Sequence, residues 1–389
     1  MLQRIENPTP RQRTRKPKSF PLFLHRNGQW AKKIRGRFVY FGKDREQALK
    51  QWLRDRDDLV AGHTPSADTG SAIVRDVLNA FLTAKLRLLQ SGELTERTFD
   101  EYKKICDLIG KTFTLTRSVD SLRPADFDEL RAKLAYKNKS PAVLANLIQR
   151  VRTVFKYAFD AFLVDRPVRF GPTFKKPSKR VMRLARHARG PNMLEADQIR
   201  KLLEAASPQV RAMILLGVNG GLGNRDCSEL RLKHLDLERG WLNYPRPKTG
   251  IQRRIPLWKE TIEALREVLA DRPTVLPAEV VDRVFVTKYR KPWVRCEREA
   301  DDKLRQDDAI TKEFRKLMLA AGFHRRGLGF YSLRHTFETI GGDSRDQVAT
   351  DAIMGHARDD MASTYRERIA DDRLRAVVDH VHGWLFPAE

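Results

Sequence analysis

Tyr331-Ser332-Leu333-Arg334-His335-Thr336-Phe337 and Met354-Gly355-His356-Ala357-Arg358-Asp359-Asp360-Met361-Ala362-Ser363-Thr364-Tyr365 are the stretches on which the reading of this chain turns. Taken alone, each member is weak. A lone tyrosine on a polar helix is ordinarily a surface residue. A histidine after a glycine is more often a cap or core residue. An arginine near a helix start is often half of an ion pair. What carries weight is order. Arg225 comes first, then Lys248, then the Arg334-His335 pair, then Gly355-His356, and Tyr365 nine residues after His356.

The surroundings of these residues read as a mixed domain. Gly240-Trp241-Leu242-Asn243-Tyr244 and Arg253-Arg254-Ile255-Pro256-Leu257 flank Lys248-Thr249-Gly250, which predicts a hairpin with the lysine in its turn. Helical spacing predicts helices near 195–205, 207–219, 225–234, 258–270, 307–321, 332–341, 345–354, 359–367 and 371–385.

The 389 residues carry a formal net charge of +25, with 32% charged and 41% hydrophobic residues. That length supports two or three domains, each with a core of its own. A balance this basic fits a polyanionic partner, above all nucleic acid. The charge is uneven. Residues 1–50 hold fourteen Lys/Arg against Glu6, Asp44 and Glu46, and 175–189 hold seven against none. Two basic clusters separated by a folded segment fit a protein that wraps its partner. Cys106, Cys227 and Cys296 match no disulfide framework or zinc spacing, which favours a reducing compartment. No apolar run is long enough for a membrane span, and the N-terminus lacks an apolar signal core.

Residues 1–19 read as a basic arm. Phe20–Leu24, Gln29–Ile34 and Phe38–Phe41, separated by Asn27-Gly28 and Arg35-Gly36-Arg37, predict a small three-stranded sheet, with a helix from about Asp44 to Leu59 behind it. Lys32, Lys33, Arg35 and Arg37 lie on or beside its strands with aromatics between them, and a β-ribbon of that kind can enter a DNA groove. After a linker at 61–71, helices are expected at 72–90, 96–109, 124–136 and 141–163. In the last, Ser140-Pro141 marks the start. Leu144, Leu147, Ile148, Val151, Val154, Phe155, Ala158 and Phe162 form its core stripe, with Gln149, Arg150, Arg152 and Lys156 on the other side.

The ordered set Arg225, Lys248, Arg334-His335, His356 and Tyr365 resembles the tyrosine recombinases, the family of phage integrases, from about residue 72 to 385 and most strongly in the last third. The resemblance implies a mainly α, multidomain chain with small β elements. A basic arm and small three-stranded DNA-binding domain would occupy 1–64, a helical core-binding bundle 72–168, a basic interdomain linker 169–191, and a mixed, mainly α catalytic domain with a tail helix 192–389. It implies DNA cleavage and rejoining through a 3′-phosphotyrosyl intermediate, with Tyr365 as nucleophile. Such chemistry needs cations around the non-bridging oxygens, an acid for the departing 5′-oxygen and an in-line nucleophile. Arginine suits the clamp, because its fork matches two phosphate oxygens and it stays charged. Arg225 and Arg334 would be the clamps, Lys248 the acid, and His356 a phosphate hydrogen-bonding group. Tyr331, His335 and Glu229 would support them. Lys32, Lys33, Arg35, Arg37, Arg150, Arg152, Lys175, Lys176, Lys179 and Arg180 are the DNA-contact candidates. No cofactor or metal is expected, since no carboxylate or His/Cys cluster shows ligand spacing.

The sequence departs from the family pattern twice. Where the family has His-x-x-Arg, position 331 is Tyr, whose phenol can donate a hydrogen bond but cannot act as an imidazole near neutral pH. Where the family has Gly-Leu-Arg-x-x-Glu-Leu, this chain has Gly221-Leu222-Gly223-Asn224-Arg225-Asp226-Cys227-Ser228-Glu229-Leu230. Glu229 thus stands four residues after Arg225, and one extra residue rotates a helical side chain by about 100°. A local insertion restoring the geometry is the favoured expectation. Two other readings remain open from sequence: a relative that only binds DNA, and a type IB topoisomerase-like enzyme, against which the arm and the tail helix argue. The final helix, with Leu374, Val377, Val378, Val381 and Leu385 in register, fits either packing on its own domain or docking on a neighbouring subunit. Expected partners are double-stranded DNA, a tetramer of this chain on paired sites, and accessory DNA-bending or directionality proteins. The expected location is cytoplasmic and nucleoid-associated.

Overall fold

The computed structural model describes residues 20–62, 72–136, 139–299, 303–356, 361 and 365–387. They gather into two compact units, one ending at Met182 and the other beginning at Arg183.

In the first unit, β1 (Phe23–Leu24), β2 (Trp30–Ile34) and β3 (Arg37–Tyr40) form an antiparallel sheet in that order, with α1 (Arg45–Ala61) following. Leu22, Phe41, Ala48 and Trp52 make its small core. The tight β2–β3 turn puts Arg35 at φ 46° and Gly36 at φ 83°, a left-handed pair that glycine accommodates at its second position.

The bundle comprises α2 (Val74–Gln90), α3 (Glu96–Phe113), α4 (Pro124–Ala135) and α5 (Pro141–Asp160). Sequence signals account for its boundaries. The Thr95 and Ser140 hydroxyls cap α3 and α5 by accepting from Thr98 N and Val143 N, and prolines stand in the first turns of α4 and α5. Phe127 packs edge-on against Phe113, Phe155, Phe170 and Phe174 with ring centroids 4.8–5.6 Å apart. Phe170 and Phe174 therefore belong to the bundle core, which extends past the expected end at residue 168. Arg117, 6% exposed, is neutralised by a two-point contact with Asp126, both arms at 2.8 Å. The basic stretch expected as a plain linker contains α6 (Lys179–His187), which buries no side chain.

The second unit has one large core. Its elements are α7 (Ala196–Ala205), α8 (Pro208–Gly220), α9 (Asn224–Glu229), the sheet β4 (Leu235–Asp236), β5 (Trp241–Asn243) and β6 (Arg254–Pro256), then α10 (Lys259–Ala270). The hairpin β7 (Val294–Arg298) and β8 (Leu304–Asp308) precedes α11 (Ala309–Ala320), α12 (Ser332–Asp343), α13 (Gln347–Met354) and α14 (Asp371–Leu385). The expected helix over 225–234 stops at Glu229 because Leu230 and Arg231 are extended, and a 3-10 turn follows. The β7–β8 hairpin was not expected: it is held by cross-strand charge pairs such as Arg295–Asp307 at 2.6 Å and shows no apolar alternation. The helix expected at 359–367 falls mostly outside the described residues.

Helix α14 packs on its own domain. Leu374, Val377, Val378, Val381 and Leu385 are buried, and the Trp258 indole donates to the Val378 carbonyl at 2.9 Å. Asn219 joins α8 to β6 and α10. Fully buried, it donates to Pro256 O and accepts from Trp258 N and Thr261 Oγ1, each at 3.0 Å. Asn219→Ala leaves a buried amide and a buried carbonyl without partners and is expected to lower stability by about 2–4 kcal/mol, measured by urea unfolding.

Candidate active site

Three elements bring Arg334 into the interior. It begins the second half-turn of α12, with Leu333 and Phe337 anchored in the core on either side. Gly217 of α8 admits the Leu333 side chain: a Cβ there would stand 2.9 Å from Leu333 Cδ1. Arg334 is only 3% exposed. Its Nη1 donates to Gly221 O at 2.5 Å, and its Nη2 donates to Met354 O at 2.7 Å and to His356 Nε2 at 2.9 Å.

These acceptors have a common origin. Gly221 caps α8 in the left-handed conformation (φ 65°), and Gly355 caps α13 in the same way (φ 63°). Two helix C-termini thus aim their last carbonyls at one guanidinium, and the helix dipoles place partial negative charge there. None of the three acceptors is an anion, so the cation is hydrogen-bonded without being neutralised. Burial, and then the nearby Arg246, push the Arg334 guanidinium down to about 10, which still leaves it charged at neutral pH.

His356 continues the arrangement. Arg334 can only donate, so Nε2 accepts and the ring proton sits on Nδ1. That nitrogen faces Asp351 Oδ1 at 3.4 Å and Glu338 Oε2 at 3.5 Å. One ligand atom from each of Glu338, Asp351 and His356 lies within 4.8 Å of the others. The spacing of these residues in sequence gave no sign of this trio, against the expectation of no ligand cluster. With Nε2 engaged by Arg334, the two carboxylates are placed to fix the ring.

The hairpin turn adjoins the same glycine. Arg246 Nη1 and Thr249 Oγ1 donate to Gly355 O at 3.1 and 3.4 Å. Lys248 stands between them in sequence and is exposed. Below the turn, Arg253 is 2% exposed. Its Nε donates to Tyr244 O at 3.0 Å and its Nη2 faces Asp226 Oδ1 at 3.4 Å. Burial lowers its pKa, partly offset by Asp226.

The other sequence candidates fall elsewhere. Arg225 is not turned inward. It points to solvent from α9 and pairs with Glu229 at 2.7 Å, an i,i+4 contact that the extra residue makes possible. The expectation that the local insertion returns Arg225 to the clamp position is corrected on this geometry. Tyr331 is half exposed and its ring covers Gly223, where a Cβ would come within 3.3 Å. His335 is exposed, meets Tyr331 edge-on at 5.6 Å, and is pushed below its usual pKa by partial burial and then by the Arg186 and Arg334 cations. Tyr365 is 77% exposed, and among the described residues no hydrogen bond joins it to Arg334 or His356.

Among the DNA-contact candidates, Lys33, Arg35, Arg37, Lys175, Lys176, Lys179 and Arg180 are exposed. Arg35 also donates to Ala61 O. Lys32 donates to Pro21 O and lies 4.4 Å from the Trp52 ring centre. Arg150 pairs with Glu101, and Arg152 donates to Phe174 O while resting on the Phe170 ring. Those last two guanidiniums hold the bundle together. Sequence reasoning missed Asp226, Arg246, Arg253, Glu338 and Asp351. The available signal was Asp226, which occupies the position three residues before Glu229 where the resemblance calls for arginine.

Residues 192–371 match the phage integrase family model. The chain is 28% identical to the tyrosine recombinase XerD of Caulobacter vibrioides over 69% of this chain and 85% of that protein. It is 24% identical to the tyrosine recombinase XerC of Alcanivorax borkumensis over 81% of this chain and 96% of that protein. In fold it resembles a lambda integrase dimer bound to a core site, with a TM-score of 0.55 and 18% identity, covering 93% of this chain and 99% of that one.

Gly355 is the tightest point of the site. A Cβ there would lie 2.9 Å from Arg253 Cδ and 3.1 Å from Arg246 Cβ, in a left-handed conformation. Gly355→Ala is expected to lower stability by about 2 kcal/mol or more, from backbone strain and displaced arginines together, read as a lower urea midpoint.

Proposed function

We propose that the chain is a tyrosine recombinase of the phage integrase family, which cuts and rejoins double-stranded DNA at paired sites with Tyr365 as the nucleophile. The observation that carries the assignment of roles is the buried, un-neutralised Arg334 guanidinium in contact with His356. A phosphodiester oxygen supplies the missing anion.

When that oxygen takes the place of His356 on Arg334 Nη2, the His356 Nε2 lone pair is freed. The Tyr365 Oη then bonds to phosphorus, its proton passes to Nε2, and the P–O5′ bond breaks. The exposed Lys248 ammonium, on a turn hinged at Gly355, delivers a proton to O5′. Glu338 and Asp351 stabilise the imidazolium, which in turn donates to a phosphate oxygen. The 3′-phosphotyrosyl bond keeps the energy of the broken ester, so rejoining is the same sequence reversed. Tyr331 closes the outer side of the site over Gly223.

The sheet of β1–β3 would serve as an arm-type DNA-binding domain through Lys33, Arg35 and Arg37, the α2–α5 bundle as a core-binding domain, and the cations of 175–189 as the segment that follows the DNA backbone. A tetramer on two sites fits the reaction, and lambda integrase is known as a tetramer bound to a Holliday junction. Among the described residues no helix is long and apolar enough to cross a membrane, and a DNA substrate supports a place on the nucleoid.

Two measurements test this. DNA fragments from the source element and its flanks are incubated with the wild type and with Tyr365→Phe, denatured, and the protein-linked ends sequenced. Adducts with the wild type alone are expected; adducts with both would move the nucleophile, and good binding with no adduct from either would reduce the chain to a DNA-binding relative. Separately, replacing Lys175, Lys176, Lys179 and Arg180 by alanine is expected to flatten the slope of log affinity against log salt by about 2–3.

A further inference from the structure

Asp226 and Arg253 form a pair that the roles above leave unused. In the family pattern the clamp arginine precedes Glu-Leu by three residues, and here that position is Asp226. The structure turns Asp226 inward, where its Oδ2 accepts from Gly223 N at 2.8 Å and its Oδ1 faces Arg253. Arg225, one residue earlier, faces solvent. The inward guanidinium on this side of the site therefore comes from the strand end and not from α9.

Arg253 is an unusual place for a cation. Its side chain has no exposure, and among the described residues its Nη1 has no hydrogen-bond partner. A buried donor left empty is costly, about 1–3 kcal/mol and more when charged, so chains rarely retain one without a use. Arg253 packs against Gly355, next to the carbonyl of Met354 that holds Arg334, and it lines the same open cavity as His356. Arg246 is near enough to Arg253 and to Arg334 to disfavour the charge on both, and the Asp226 carboxylate, in contact with Arg253, acts the other way.

Building on the recombinase reading, we propose that Arg253 supplies the second guanidinium for the scissile phosphate, in place of the arginine that the family carries on the helix after Gly-Leu, with Asp226 as its holder. The two clamps then approach the phosphate from different elements. Arg334 comes from α12 and Arg253 from the residue just before β6, after the Lys248 turn. The empty Nη1 is the donor that a non-bridging oxygen would fill. The Asp226–Arg253 pair is neutral overall, so the net positive charge of the site rests on Arg334 and Arg246, while Arg253 contributes a directed donor.

The test uses a nicked duplex carrying the cleavage site mapped by trapping, so that the covalent adduct accumulates. Arg225→Ala is expected to form adduct within about threefold of wild type. Arg253→Lys and Arg253→Met are expected to form it about 10²–10³-fold more slowly, the effect of removing one donor to developing charge, while duplex affinity changes less than about threefold. On a duplex whose scissile phosphate carries a methyl in place of one non-bridging oxygen, the Arg253 deficit should shrink to under about tenfold, because the neutral phosphonate needs one cation fewer. If Arg253→Met does not fold, Asp226→Leu with Arg253→Met removes the pair together, a change that buried pairs often tolerate, and the same deficit and the same rescue are expected. Normal adduct formation by Arg253→Met, a hundredfold loss in Arg225→Ala, or an Arg253 deficit undiminished on the phosphonate would each overturn the proposal. A wild type that forms no adduct would overturn the recombinase reading itself, which the variants alone cannot do.

Discussion

A guanidinium buried without an anion is the constraint around which the second unit is arranged. Desolvating Arg334 is affordable only because its donors meet full acceptors. Those acceptors are the last carbonyls of two helices, α8 and α13, each closed by a left-handed glycine. Helix ends give partial charge in a fixed direction, enough to hold a cation but not to cancel it. A carboxylate in the same place would satisfy Arg334 and leave nothing for a phosphate. The glycines matter for space as well as for φ: a Cβ on Gly221 would stand 3.3 Å from both Met354 Cγ and Phe337 Cδ1. The same two positions close the helices, bring α12 and α13 together and expose the site.

The surrounding structure fixes those helix ends. Asn219, near the end of α8, ties that helix to β6 and α10 through three hydrogen bonds in the core. Asp346 caps α13 by accepting from Ala349 N and is held by Arg373 of α14 at 2.7 and 2.8 Å. Arg254 of β6 makes a two-point contact with Asp371 of the same helix and lies over Trp241. Helix α14 thereby reaches the site indirectly, through the start of α13 and the strand that follows Arg253. A tail that leaves its own domain for a neighbour would have to give up these contacts and find equivalents there.

Much of this was legible from sequence where local rules decide. Ser140-Pro141 fixed the start of α5 to the residue, because capping is a short-range matter. The apolar stripe of α5 named its own core as far as Ala158; Phe162, expected to continue it, lies beyond the helix end at Asp160 and is 94% exposed. Arg334 and His356 could be assigned to one site because their order carried them, but their direct contact could not be read. The β7–β8 hairpin was invisible because its faces are charged and its pairing rests on partners across the ribbon. Phe170 and Phe174 looked like linker because they stand outside any periodic segment, and only the ring cluster around Phe127 draws them in. The trio at Glu338, Asp351 and His356 spans two helices and the residue after one of them, so no spacing within a single element betrays it.

Arg225 shows how one residue of offset changes a site. On a helix, adjacent positions differ by about 100°, so the residue that satisfies the motif by type and the residue that satisfies it by direction need not coincide. Here type favours Arg225 and direction favours Asp226. The structure follows direction: Asp226 faces the interior and Arg225 finds the nearest carboxylate on its own helix, Glu229. An inward carboxylate beside Arg334 would be expected to quench the cation. Arg253 intervenes, occupying Asp226 Oδ1, while Gly223 N occupies Oδ2. A guanidinium serves such a site by where it points and not by its residue number, which is why the inward pair, and not the nearest arginine in sequence, is where the second donor is to be sought.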